Sequence, residues 1–155
     1  MAMGKYVYDW PRPMVTVDAA VFAFFEGKAW LLLIQRKHEP FRDCWALPGG
    51  FVEMDEDLPK AAARELAEET GLTDIPLEQL HTFGRPGRDP RGRAITVVYF
   101  GIAGQGQQRP RAADDAAEAQ WFDIDNLPRM AFDHDEIVRC AIERLEQRKA
   151  EKARG

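Results

Sequence analysis

Two β-rich apolar runs open the chain, MVTVDAAVFAFF at 14 to 25 and AWLLLIQR at 29 to 36. The residues between them, Glu26-Gly27-Lys28, have the composition of a hairpin turn, so the pattern predicts two paired strands. In WALPGGFVE a short apolar piece is interrupted at Pro48-Gly49-Gly50, where the backbone is expected to turn tightly. From Leu58 the period changes. Leu58, Ala62, Ala63, Leu66 and Ala67 cover roughly half of a helical wheel, an apolar face that can pack on a sheet. Asp57 can cap this helix, Pro59 is tolerated in a first turn whose amides lack partners, and Gly71 is placed to end it after Glu69.

Further along, PLEQLHTF at 76 to 83, AITVVYFGIA at 94 to 103 and EAQWFDI at 118 to 124 read as strands. The first two flank an arginine-rich loop, GQGQQRPRAA at 104 to 113 is a polar loop, and Asn126-Leu127-Pro128 stops the third strand. From Asp133, the spacing of Ile137, Cys140, Ala141 and Leu145 is helical, and beyond Arg148 the tail is too polar to need a fold. Strands and helices interleave, with hairpin-like pairs among them, which predicts an α/β layered fold: a mixed sheet covered by helices. The 155 residues suit one compact domain, 1 to 155, with a core at about 14 to 145 and neither repeat nor linker.

Composition narrows the class. With 45% apolar and 30% charged residues and no low-complexity block, the chain reads as globular rather than disordered. The longest apolar run, AWLLLI, is too short to span a bilayer, and the N-terminus lacks a secretory layout, so a cytoplasmic protein with no membrane partner is expected. Cys44 and Cys140 have the spacing of neither a disulfide framework nor a zinc site. A net charge of -5 argues against a general nucleic-acid binder. Locally the balance reverses: RPGRDPRGR at 85 to 93 sets four arginines against one aspartate, +3 in all, where an anion can bind.

The acidic counterpart is RELAEET at 64 to 70. Glu65, Glu68 and Glu69 fall within an arc of about 100° on the helix, and Glu69 borders the apolar face beside Leu66, where partial burial is expected. Like charges at this spacing cost a few tenths of a kcal/mol in an isolated helix and more once water is excluded. Taken alone, the heptapeptide reads first as a solvated acidic face with Arg64 and Lys60 as partners. A divalent cation is the other way to offset the repulsion, since Mg2+ binds through a few carboxylates together with phosphate oxygens.

The surrounding residues change that balance. From Gly50 the sequence GFVEMDEDLPKAAARELAEETGL resembles the Nudix box: Gly, five residues, Glu, seven residues, then Arg-Glu-aliphatic-x-Glu-Glu-x-Gly-aliphatic. Gly50, Glu56, Arg64, Glu65, Leu66, Glu68, Glu69, Gly71 and Leu72 meet every defined position. The resemblance implies an α/β/α sandwich that hydrolyses a diphosphate linked to another moiety, using Mg2+ or Mn2+. It makes Glu65, Glu68 and Glu69 the metal site and adds the Gly49 carbonyl as an oxygen ligand. It also places Gly50 at the substrate, has Arg64 orient a glutamate, and gives Glu56 the support of the loop-helix-loop. Which glutamate accepts a proton from the attacking water is left open by the motif.

A second, looser likeness concerns the substrate. FGRPGRDPRGRAITVVYFGI at 83 to 102, with DDAAEAQWFDIDNLPRMAFDHDEI at 114 to 137, resembles bacterial Nudix proteins that act on ADP-ribose and the Nudix domains of NAD-metabolism regulators. It implies that Arg85, Arg88, Arg91 and Arg93 grip the second phosphate or the terminal ribose, the alternative being a solvated hairpin tip. Glu118 is then a further metal or water-orienting acid, or else a surface carboxylate, with Asp114 and Asp115 weaker candidates. His134 either meets substrate or sits satisfied beside a capping Asp133. The regulators carry a winged helix after this domain, and the chain ends short of one, which favours a stand-alone enzyme.

The expectation is therefore Mg2+-dependent cleavage of ADP-ribose to AMP and ribose 5-phosphate. A nucleoside triphosphate pyrophosphohydrolase and a non-catalytic ADP-ribose or dinucleotide sensor are the alternatives. The family likeness further implies a homodimer, with the N-terminal YDWPRP available for exchange.

Overall fold

The computed structural model describes residues 6–107 and 119–155. Its elements are β1 (Met14–Phe25), β2 (Lys28–Gln35), β3 (Trp45–Ala46), β4 (Gly49–Phe51), α1 (Leu58–Thr70), β5 (Glu78–Phe83), β6 (Ala94–Ile102), β7 (Ala119–Asp123) and α2 (His134–Arg154). The strands form one mixed sheet in the order β3-β2-β1-β6-β5, with β4 paired to β1 and β7 to β2. β1 runs parallel to β6 from Met14↔Ala94 to Phe22↔Ile102. Its other partners are antiparallel: β2 pairs with Phe22 to Phe25, and β4 pairs with Thr16, Val17 and Asp18. The β1–β2 hairpin closes on the pair Phe25↔Lys28, with Glu26 and Gly27 both left-handed at φ 50° and 76°. That is the conformation whose twist matches the flanking strands.

Both faces of the sheet are covered, which is why β1 reads as an almost unbroken apolar run. Ala20 and Phe22 point with Leu31, Leu33, Val98 and Phe100 into a core closed by Ile137, Val138, Ala141 and Leu145 of α2. The alternate residues Ala19, Val21 and Ala23 meet Leu32 and Leu66 of α1. Val17, Val97 and Tyr99 pack on Ala61 and Ala62. The layers are thus α/β/α. Alanines let α1 lie close to the sheet, and each larger side chain buried, such as Leu66, contributes roughly 1.5–3 kcal/mol.

Two expectations change in detail. The packed stripe of α1 is Ala61, Ala62, Leu66 and Thr70, whereas Ala63 is exposed. Thr70 can be buried because its hydroxyl donates to the Leu66 carbonyl at 2.6 Å. α2 does not stop at Arg148 but runs on to Arg154. Its polar last turns are tied to the sheet, by Arg144 and Arg148 to Glu78 of β5 and by Lys149 over the Phe24 ring, 5.5 Å from its centroid. Among the described residues, no helix is long and apolar enough to cross a membrane.

Candidate active site

Helix α1 is locally determined at both ends. Asp57 accepts from the Leu58 amide at 2.8 Å, and Gly71, left-handed at φ 77°, donates to the Ala67 carbonyl. The acidic residues of the helix are then organised by Arg64. Its Nε and Nη2 grip Glu56 at 2.9 and 2.6 Å, and Nη2 also reaches the Phe51 carbonyl at 3.1 Å. Its Nη1 donates to Glu65 at 2.8 Å and to Glu68 at 3.2 Å. One guanidinium therefore joins β4, the loop and two turns of helix, a use that its planar fork permits. The Arg64 hydrogen bonds, aided by the Glu53 amide, hold the Glu56 carboxyl down to about 2.

The glycines of β4 have a different role from the expected tight turn. Neither Gly49 nor Gly50 has a positive φ, and both lie in a strand beside β1. What they supply is the missing side chain. A Cβ on Gly49 would fall 2.3 Å from both Asp18 Oδ1 and the Val17 carbonyl, and one on Gly50 would fall 2.5 Å from the Glu65 carboxylate. This close approach lets the Gly49 amide donate to Glu69 Oε1 at 2.7 Å.

Glu65 and Glu69 are partly buried and Glu68 is exposed. Burial pushes the Glu69 carboxyl up to about 8 against the pull of the Gly49 amide, and the charges of Glu65, Asp18 and Glu68 push the same way. Burial also raises Glu65, against its hydrogen bond from Arg64. All three line a cleft of about 480 Å³ together with Gly49, Gly50 and Arg64.

Asp18, buried at 7% exposure, also lines this cleft and accepts from Thr96 Oγ1 at 2.5 Å. His134 lies near it, with Nε2 3.8 Å from Asp18 Oδ1, while its Nδ1 accepts from the Leu47 amide at 3.0 Å. Burial lowers the His134 pKa, so the ring is neutral with its proton on Nε2. Asp133 does not cap α2 with its side chain, contrary to expectation. Its carboxylate is spent on Arg88, in a buried two-fold pair at 2.9 and 2.7 Å.

The four loop arginines are thereby separated. Arg88 lines the cleft fully paired, and Arg91 lines it with Asp89 as partner at 2.8 Å. Arg85 pairs with Glu136 at the surface and Arg93 is exposed, and neither lines the cleft. Glu118, Asp114 and Asp115 lie outside the described residues. Sequence reasoning did not single out Asp18, Arg36, Asp89 or Phe132, which all line the cleft. Asp18 alone carried a signal, as the one acid inside an otherwise apolar strand.

Among the described residues, no three His, Cys, Asp or Glu side chains converge into a formed metal cage. The donor chemistry still fits a hard divalent cation. Carboxylate oxygens of Asp18, Glu65, Glu68 and Glu69 share one wall, where burial and their mutual repulsion raise the Glu69 pKa, and Mg2+ characteristically takes few protein ligands and completes its shell with water and phosphate.

A NUDIX domain family model matches residues 14–141. The chain is 44% identical over 128 residues to an ADP-ribose pyrophosphatase of Methanocaldococcus jannaschii, covering 83% of this chain and 72% of that protein. It is 37% identical over 141 residues to the ADPR responsive transcriptional repressor NtrR of Acinetobacter baylyi, covering 88% of this chain and 56% of the repressor, little more than half of its length. Among solved structures, the NUDIX domain of Shewanella oneidensis NrtR in complex with ADP ribose superposes with a TM-score of 0.81 at 34% identity, covering 89% of this chain and 94% of that one. A MutT/nudix family protein from Enterococcus faecalis gives a TM-score of 0.82 at 35% identity, covering 92% and 66% respectively.

Proposed function

The chain belongs to the NUDIX family, and from that premise we propose that it is a Mg2+-dependent pyrophosphohydrolase that cleaves ADP-ribose to AMP and ribose 5-phosphate. The observation that carries the reading is the convergence of Glu65, Glu68 and Glu69 with Arg64 and two Cβ-less residues on a single cleft. The likeness to a protein named as an ADP-ribose pyrophosphatase, and to a domain crystallised with ADP ribose, supports the choice of substrate.

Glu65, Glu68 and Glu69 would hold the metal, Mg2+ or alternatively Mn2+, with the Gly49 carbonyl as a further oxygen. Bound there, it supplies neutralisation of phosphate charge and a polarised water. Arg64 sets the rotamers of Glu65 and Glu68 through its two Nη1 hydrogen bonds. Gly50 leaves the space that the Glu65 carboxylate occupies, and Gly49 lets β4 lie against Val17 and Asp18 of β1. A glutamate of the trio accepts the proton of the attacking water. Arg91, the loop arginine with a half-exposed side chain at the cleft, offers N–H donors to phosphate oxygens.

The test is hydrolysis of ADP-ribose beside NADH, sugar nucleotides and nucleoside triphosphates, in Mg2+ and in EDTA, with products separated by chromatography. Metal-dependent AMP release, far more efficient from ADP-ribose than from the others, is expected. Pyrophosphate release from a triphosphate would replace the substrate. The likeness to the repressor favours a second reading, a sensor that binds ADP-ribose without turnover, which tight calorimetric binding and no product would support. We also read the protein as a homodimer, because Tyr6, Val7 and Trp10 stand exposed ahead of β1. Light scattering that returned a monomer mass would remove that assembly.

A further inference from the structure

Four guanidiniums line the cleft, those of Arg36, Arg64, Arg88 and Arg91. Three are neutralised: Arg64 by Glu56, Glu65 and Glu68, Arg88 by Asp133, and Arg91 by Asp89. Arg36, the residue after β2, forms no ion pair among the described residues. Its surroundings nevertheless fix it. Its amide donates to the Cys44 carbonyl at 2.9 Å, its carbonyl accepts from the Asp43 amide at 3.0 Å, and its Nε donates to the Pro40 carbonyl at 2.8 Å. Only the terminal amino groups of the fork are left without a partner among the described residues.

An aromatic ring holds the head of this side chain. The Arg36 guanidinium carbon lies 4.8 Å from the centroid of Phe132, and that of Arg91 lies 5.2 Å from the same centroid. Phe132 occupies a left-handed backbone conformation at φ 51°, uncommon for a bulky residue. Both flanks pin it there: the Ala131 amide donates to the Trp45 carbonyl at 2.7 Å, and His134 takes the Leu47 amide on its Nδ1. A ring carried on a strained backbone, and held by its neighbours so that two cations meet it, is a preorganised feature of the cleft.

Partial burial and the nearness of Arg91 both disfavour the charge on Arg36, although a guanidinium keeps its proton in proteins. Asp89 and Glu69 relieve that cost only from a distance. A fixed, half-buried cation with a free donor edge beside a second guanidinium calls for an anionic ligand with several oxygens.

We propose that Arg36 is the principal phosphate-binding residue of the cleft, taking non-bridging oxygens of a nucleotide diphosphate, with Phe132 as the positioning residue that sets it beside Arg91. This deepens the proposed function and rests on reading the cleft as a diphosphate site. It relocates the anion grip from the arginine-rich loop, most of whose charge is neutralised by acids, to the end of β2.

The experiment compares the full chain with Arg36→Gln and Arg36→Lys, and with Lys37→Gln, an exposed neighbour outside the cleft, as reference. Affinity for ADP is measured by calorimetry in EDTA, and kcat and KM for ADP-ribose are measured in Mg2+. In Arg36→Gln, ADP affinity is expected to fall on the order of 10- to 100-fold, the scale of a lost charge-assisted interaction, with KM rising in step. Arg36→Lys should recover part of it, keeping the charge without the fork, and Lys37→Gln should match the wild type. ADP affinity within twofold of wild type in both Arg36 variants overturns the proposal, as does a wild type that binds no ADP. If ADP affinity falls as expected while the wild type hydrolyses no ADP-ribose, the Arg36 assignment stands and the proposed reaction fails. If the wild type turns ADP-ribose over and Arg36→Gln has the same KM, the reaction stands and this assignment fails.

Discussion

Arg64 closes on Glu56 through paired hydrogen bonds, Nε to Oε2 at 2.9 Å and Nη2 to Oε1 at 2.6 Å, fastening the loop before α1 to the second turn of that helix. The Glu56 carboxyl takes a proton only near pH 2 in the folded protein, against 4.5 for an ordinary glutamate. Its folded pKa is depressed, so the stability it contributes is present above about 4.5 and is lost as the pH falls toward 2, where the unfolded chain binds the additional proton. Thermal melts across that range should show the wild type losing stability more steeply than Glu56→Gln. Parallel curves would mean that the pair does not couple to folding.

The two glycines of β4 separate activity from stability. Gly50→Ala puts a methyl 2.5 Å from the Glu65 carboxylate, a side chain that can swing aside, so the fold should survive while turnover falls at least about tenfold. Gly49→Ala meets the Val17 carbonyl at 2.3 Å, backbone that cannot yield without disturbing β1. Urea denaturation should show that variant destabilised by about 1–3 kcal/mol, and the Gly50 variant by less.

Glu68→Gln and Glu69→Gln should each lower kcat on the order of 100-fold or more at saturating Mg2+, the scale on which transition-state charge stabilisation is lost. Near-UV circular dichroism should remain that of the wild type, because neither carboxylate packs in the core. Near-normal rates in both would show that the metal is held elsewhere.

Burial favours the neutral form of His134. Its folded pKa lies below that of an ordinary histidine, so it contributes stability above about 6.5 that is lost as the pH falls below that value and the unfolded chain protonates first. Nitrogen-15 NMR of the imidazole at neutral pH should report a bare Nδ1 and a protonated Nε2. A ring that is fully charged there would contradict the Leu47 hydrogen bond.

What the sequence disclosed was whatever local chemistry determines. Asp57, Pro59 and Gly71 mark the ends of α1 by satisfying amides and carbonyls within a few residues, and the β1–β2 hairpin follows from two apolar runs around a turn. The Nudix box marked its glutamates because its spacing is fixed along one helix and the loop before it. Pairings that the folded backbone alone decides were hidden. Nothing in RPGRDPRGR says that Arg88 will find Asp133, 45 residues on, or that Arg91 will fold back on Asp89. Arg36 looked like the polar end of a strand, and its standing as a cleft guanidinium without an ion pair among the described residues emerges only once the other three have found acids.

The pairing of Arg88 with Asp133, at 4% and 6% side-chain exposure, also bears on how this protein can drift. Removing either partner alone strands a charge in the interior at a cost of about 3–5 kcal/mol, whereas exchanging both for apolar residues of similar volume can be nearly neutral. The same bolt fixes the length of the loop, since one inserted residue would pull the guanidinium out of register with its acid. A surface connection of this kind ordinarily tolerates insertions. Here its two ends of the bargain must change together, and homologues that keep the arginine should keep the acid and the loop length with it.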